Sequence, residues 1–126
     1  MDNGYVLIVE KETILAQGLK VRFEKWGFDR IECASSFQEA CSRLNGQPVV
    51  LAVLGLDSDT QWLEPALLFQ QQQPHPVLFL SNFNSLSARR QLKPFGRYKR
   101  LNKPCHVPEL RAAVESLLTI RLPLET

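Results

Sequence analysis

Short apolar runs alternate with amphipathic stretches along the whole chain. Three runs are almost wholly apolar, which is typical of strands buried on both faces of a sheet. A fourth alternates apolar and polar positions, and a fifth is weaker. The predicted strands are Tyr5–Val9, Arg30–Ala34, Val49–Leu54, Val77–Leu80 and Tyr98–Leu101.

The stretches between these strands have mostly helical spacing. Gly27 supplies a stop for the first helix, and Ser36 with Glu39 forms a capping box at the start of the second. Pro108 fits the first turn of the last helix. The predicted helices are Thr13–Trp26, the Ser36-capped helix to Leu44, Trp62–Gln72, Ser85–Leu92 and Val107–Thr119.

Strict alternation of strands and helices predicts an α/β fold, a doubly wound parallel sheet joined by right-handed crossovers. In such sheets the working site lies beyond the carboxyl ends of the strands. Four segments fall there: Glu10 to Glu12, Leu54 to Asp59, Ser81-Asn82 and Asn102 to Pro104.

The composition is that of an ordinary globular protein, with 126 residues, 44% hydrophobic. We expect one domain over residues 1–126 with a core of about 5–119, either complete or the N-terminal part of a longer regulator. No apolar run approaches the roughly 18 residues of a membrane helix, and the N-terminus has no basic leader, so we expect a cytoplasmic protein. Cys33, Cys41 and Cys105 lack metal-site spacing and should be reduced thiols.

The residues at the strand ends make the chain resemble response-regulator receiver domains, from Tyr5 to about Leu118. Glu10 follows the first strand, Ser81 ends the fourth, and Lys103-Pro104 ends the fifth. The resemblance implies a CheY-like, flavodoxin-like (βα)5 fold with strand order 2-1-3-4-5. It also implies a site where an acidic pair holds Mg²⁺ and an Asp at the end of the third strand accepts a phosphoryl group.

Three departures from that pattern concern the chemistry. Lys11 takes the second place of the acidic pair, where an ammonium opposes cation binding. The acceptor position falls on Leu54 when aligned on Pro48, and on Val53 by the spacing to Ser81; neither can accept phosphate. The aromatic switch position, three residues before the Lys, is Arg100.

These departures predict a degenerate site with no cofactor and no metal. The site comprises Glu10, Lys11, Val53, Leu54, Ser81 and Lys103. With no phosphoryl group to bind, Lys103 is expected to pair with Glu10 or Glu12. The alternative is a phosphorylatable receiver that uses Asp57 or Asp59 with Mg²⁺.

From Pro65 to Pro108 the chain has no Asp or Glu, although its net charge is only +2. The basic residues within this stretch are candidates for partner binding. Receivers often bind their partners through the face formed by the fourth helix, the fifth strand and the last helix. The candidates are Arg89, Arg90, Lys93, Arg97, Lys99 and Arg100. A solvated face without a ligand remains the simplest interpretation, and nucleic-acid binding through residues 89–103 lacks a recognition motif.

No pattern of a hydrolase, phosphate loop or nucleophilic triad is present, and His75 and His106 are interpreted as loop histidines. We therefore predict a non-enzymatic pseudo-receiver. It would act in two-component-type signalling by contact with a protein partner, an effector domain or a second copy, independently of phosphorylation.

Overall fold

The computed structural model describes residues 4–56, 63–82 and 90–123. Its five strands form one parallel sheet in the order β2-β1-β3-β4-β5, which confirms the predicted α/β fold and strand order. The strands are β1 (Tyr5–Val9), β2 (Ile31–Ala34), β3 (Val49–Leu56), β4 (Val77–Ser81) and β5 (Tyr98–Asn102).

Helices connect the strands as the sequence pattern predicts. They are α1 (Thr13–Lys25), α2 (Phe37–Leu44), α3 (Leu63–Gln72) and α4 (Val107–Leu118), with a short 3-10 helix at Lys93–Phe95. The predicted helix Ser85–Leu92 lies largely outside the described residues; its last three residues, 90–92, are helical. None of the described helices is long and apolar enough to cross a membrane.

Local signals end and begin these helices where expected. Gly27 follows α1 with a φ of +100°, a left-handed conformation that glycine adopts without a Cβ penalty. Ser36 Oγ accepts the Glu39 N–H at 3.1 Å at the start of α2. In a complete capping box the Glu39 carboxylate would accept the Ser36 N–H. Here it accepts the Ser35 N–H, one residue earlier.

Alternate residues of the central strands enter two cores, one on each face of the sheet. On one face Ile8, Val53 and Leu80 pack with α1 and α4. On the other, Leu54 and Phe79 pack with α2 and the 3-10 helix. This double burial explains why these strands are almost wholly apolar.

The central strand β3 extends two residues beyond its predicted end. Its pairing register places Val9 opposite Leu54 on one side and Ser81 opposite Leu56 on the other. Because all strands are parallel, the ends of β1, β3, β4 and β5 meet at one edge, here called the carboxyl edge.

Candidate functional site at the carboxyl edge

A buried ion pair lies at the centre of the carboxyl edge. Lys103 Nζ is 2.7 Å from Glu10 Oε1, and the two side chains are only 8% and 2% exposed. The other carboxylate oxygen, Glu10 Oε2, accepts the Glu12 N–H at 2.9 Å. The predicted pairing of Lys103 is therefore confirmed, with Glu10 as the partner.

The backbone beside this ion pair is also fixed. The Lys103 N–H donates to the Ser81 carbonyl at 2.9 Å, which joins the ends of β4 and β5. The attraction between the two charges at this distance offsets part of the cost of taking them out of water. Both charges are thus compensated within the protein.

Gly55 is the β3 residue that faces this ion pair. A Cβ added to Gly55 would overlap Glu10 Oε1, and it would lie 2.8 Å from Glu10 Cδ and 3.2 Å from Lys103 Nζ. The Glu10 carboxylate consequently fills the space that any side chain larger than hydrogen would need at residue 55.

The β3 residue beside the ion pair is Gly55 rather than Val53 or Leu54, the two candidates for the acceptor position. Val53 and Leu54 are each 1% exposed and belong to the two cores, so neither reaches the edge. The predicted strand ended too early, and Glu10 follows Val9, whose partner in β3 is Leu54. Glu10 therefore lies beside Gly55, a residue that, like the two predicted candidates, has no nucleophile.

One signal in the sequence could have identified Gly55. An isolated glycine inside an apolar strand often marks the close approach of another group. The sequence interpretation treated Gly55 only as an alignment landmark after the strand.

Arg100 contacts the second polar residue of the site. Its Nη1 donates to Ser81 Oγ at 2.9 Å and to Asn102 Oδ1 at 3.1 Å. Ser81 is fully buried. A guanidinium on β5 therefore holds the hydroxyl at the end of β4, where an aromatic side chain was expected from the receiver pattern.

The described residues do not fit the Mg²⁺ that the receiver fold implies. The Glu10 carboxylate already contacts an ammonium and an N–H, and Gly55 has no side-chain ligand. Lys11 is exposed at the position of the second acid. Within residues 4–56, 63–82 and 90–123, no three His, Cys, Asp or Glu side chains form a group that could hold a metal. Asp57 and Asp59 lie outside the described residues.

The structure divides the predicted basic surface. Arg97 donates to the Leu117 carbonyl at the end of α4, and Arg100 contacts Ser81 within the site. Arg90, Lys93 and Lys99 are exposed to solvent. Arg89 lies outside the described residues.

The remaining titratable candidates are two histidines and three cysteines. His75, 7% exposed, follows α3, and His106 precedes α4 with its N–H donating to the Glu109 carboxylate at 3.3 Å. The three cysteines are free thiols, and burial raises the pKa of each.

The fold described above is that of response-regulator receiver domains, and solved structures match it over most of the chain. A response regulator from Thermotoga maritima has a TM-score of 0.77 and 21% identity, covering 92% of this chain and 98% of that one. A two-component response regulator from Clostridium difficile has a TM-score of 0.80 and 21% identity, covering 93% and 97%.

The Vibrio cholerae chemotaxis protein CheY4 has a TM-score of 0.78 at 18% identity, covering 91% of this chain and 98% of that one. No protein-family model matches the sequence, and no curated protein matches it. At these identities the likeness establishes the fold alone.

Proposed function

We propose that the chain is an atypical receiver domain that signals through protein contacts in the cytoplasm, independently of aspartyl phosphate. The observation that carries this proposal is the Glu10–Lys103 ion pair seated over Gly55. It occupies the place where a receiver of the usual kind needs an acceptor carboxylate and a lysine available to a phosphoryl group.

The chemistry of phosphoryl transfer supports this proposal. Transfer to a carboxylate needs a nucleophile and a cation that offsets charge on the phosphoryl oxygens. Gly55 supplies no nucleophile, and Lys11 opposes a cation beside Glu10. Lys103 is neutralised by a carboxylate of the protein itself, so its charge does not attract a phosphoryl group as an unpaired ammonium would.

The contacts of Arg100 support a fixed rather than switchable state. Its guanidinium donates to Ser81 Oγ and to Asn102 Oδ1. A side chain held by two hydrogen bonds loses both when it swings outward, which favours one arrangement of β4 and β5.

The output of this module is proposed to be a protein contact through a basic surface, defined by the exposed side chains of Arg90, Lys93 and Lys99. Cations on this surface favour a protein partner or effector domain that presents carboxylates. A second copy of the chain is an alternative occupant, and nucleic acid is less favoured because no recognition element accompanies the charge.

The test is an NMR titration of the whole chain with beryllofluoride and Mg²⁺, which together mimic aspartyl phosphate. We expect the amides of Gly55, Ser81 and Lys103 to stay in place, and a receiver with its acceptor aspartate serves as the positive control. Shifts at Ser81 and Lys103 that disappear in Asp57→Asn or Asp59→Asn would establish the phosphorylatable alternative instead.

A further inference from the structure

A cavity of about 300 Å³ lies at the opposite edge of the sheet, here called the amino edge, where the strands begin. The start of β3, the turn before β4, the residue before β5 and the end of α4 all contribute to its wall. Ligand pockets in proteins span roughly 300–1,000 Å³. The volume therefore suits a small metabolite rather than a nucleotide.

The cavity has an apolar wall. Phe28 and Pro76 are buried, and Val50, Leu118 and Ile120 are partly buried while lining the same space. Phe28 is also part of the core behind it, in edge-to-face contact with Phe23. An apolar group of a ligand would contact a surface that the core keeps in place.

Charged groups of both signs accompany this apolar wall. Arg30, Arg97 and Asp29 line the cavity and are exposed. A guanidinium has five N–H donors, so the Arg97 contact with the Leu117 carbonyl leaves donors for a ligand. Among the described residues, the Asp29 carboxylate has no ion-pair or hydrogen-bond partner.

His75 adds a neutral acceptor to the lining. Its Nδ1 lies 2.6 Å from the Gln73 carbonyl oxygen, which can only accept, so Nδ1 carries the proton. Burial lowers the pKa of His75, which keeps the ring neutral at pH 7 and leaves Nε2 as an acceptor. The lining formed by the described residues thus combines two cations, one anion, one neutral acceptor and an apolar wall.

We propose that this cavity binds a free α-amino acid with a branched or aromatic side chain. The arginines suit the carboxylate, Asp29 and His75 suit the ammonium, and the apolar wall suits the side chain. A simple anion would pair with the arginines but would be repelled by Asp29. A zwitterion can pair its carboxylate with the arginines and its ammonium with Asp29. The proposal does not depend on the state of the carboxyl edge.

The experiment is an NMR titration of the full chain with leucine and with phenylalanine. We expect saturable shifts at the amides of Phe28, His75 and Ile120, while Gly55 and Lys103 stay in place. Three analogues each remove one feature: N-acetylleucine lacks the ammonium, leucinamide lacks the carboxylate, and glycine lacks the side chain. Each should bind about tenfold or more weakly, as expected for one lost charged hydrogen bond or one lost apolar group.

Variants assign the contacts to residues. Asp29→Asn should weaken leucine about tenfold but should not weaken N-acetylleucine, because that analogue has no ammonium to lose and its carboxylate is no longer repelled. Arg30→Gln should weaken leucine and N-acetylleucine alike. Lys99→Gln removes a cation outside the cavity and is the matched control, with leucine binding unchanged.

Several results would overturn the proposal. They are the absence of saturable shifts with leucine and phenylalanine, equal binding of glycine, or undiminished binding of leucine to both Asp29→Asn and Arg30→Gln. Shifts spread over Arg90, Lys93 and Lys99 would indicate unspecific attraction to the basic surface and would also reject it.

Discussion

The charged side chains are buried at one edge of the sheet and exposed at the other. At the carboxyl edge, Lys103 and Glu10 are almost fully buried and neutralise each other, and Arg100 reaches inward to Ser81. At the amino edge, Arg30 and Asp29 are exposed around a cavity. The carboxyl edge therefore buries its charges against each other, while the amino edge exposes charged groups around a cavity.

Removing one charge of the buried pair should have the largest effect on the difference between the two edges. Lys103→Ala should lower the free energy of unfolding by about 3–5 kcal/mol, because Glu10 would stay buried without its partner. Urea denaturation measures the loss. Lys99→Ala, in β5 just before Lys103 but exposed, is the control and should change stability by less than about 0.5 kcal/mol.

A double replacement separates the charge from the shape. Lys103→Met combined with Glu10→Gln removes both charges and should recover most of the loss. If Lys103→Ala costs no more than Lys99→Ala, the ion pair contributes nothing and the proposal of a locked site fails with it.

The second prediction tests the glycine beneath the ion pair. Gly55→Ala should destabilise the chain by about 1–3 kcal/mol, because the new methyl group displaces a carboxylate that Lys103 and the Glu12 N–H both hold. Thermal and urea unfolding give the difference.

The chain supplies a matched control for this substitution. Gly18 lies in α1 with nothing within 4 Å of an added Cβ, so Gly18→Ala should stabilise by about 0.5–1 kcal/mol. In a Glu10→Ala background, Gly55→Ala should lose most of its cost, since the overlapping atoms are gone. An equal cost in both backgrounds would mean that the strain arises elsewhere.

The third prediction concerns the contact between Arg100 and Ser81. Arg100→Gln should cost about 1–2 kcal/mol, since it removes a charged hydrogen bond to a fully buried hydroxyl. A double-mutant cycle with Ser81→Ala isolates the pair, and a coupling energy near zero would contradict it. The amides of Ser81 and Asn102 should broaden or shift when the guanidinium is removed.

The fold was predictable because its signals are local. Each buried strand is a short apolar run, and each helix has its own spacing and cap, so the alternation of elements follows from neighbouring residues. The end of β3 was not predictable in this way, because Gly55 interrupts the apolar run although the strand continues to Leu56.

The site was predictable only in part, since its contacts join distant segments. The pairing of Lys103 with Glu10 follows from the strand ends meeting at one edge. The direction of a long side chain such as Arg100 does not follow from spacing, because the same residue can point to solvent or to Ser81. The amino-edge cavity is formed by segments that range from Gly4 to Ile120, and no pattern within a single segment predicts it.

The last prediction, with the smallest expected effect, asks whether the amino edge responds to protons. Burial lowers the pKa of His75 in the folded chain below its usual value of 6.5. At a pH between the lowered pKa of the folded chain and the usual pKa of 6.5, the unfolded chain binds more protons than the folded chain. The free energy of unfolding should therefore fall as the pH drops through 6.5.

Urea denaturation at pH 5.5 and 7.5 measures this slope. In His75→Asn the side-chain amide can still donate to the Gln73 carbonyl, as Nδ1 does, but it does not titrate, so the variant should lose less stability on acidification than the natural chain. If His75→Asn and the natural chain respond alike, His75 is not the responding group, and this prediction for the amino edge fails.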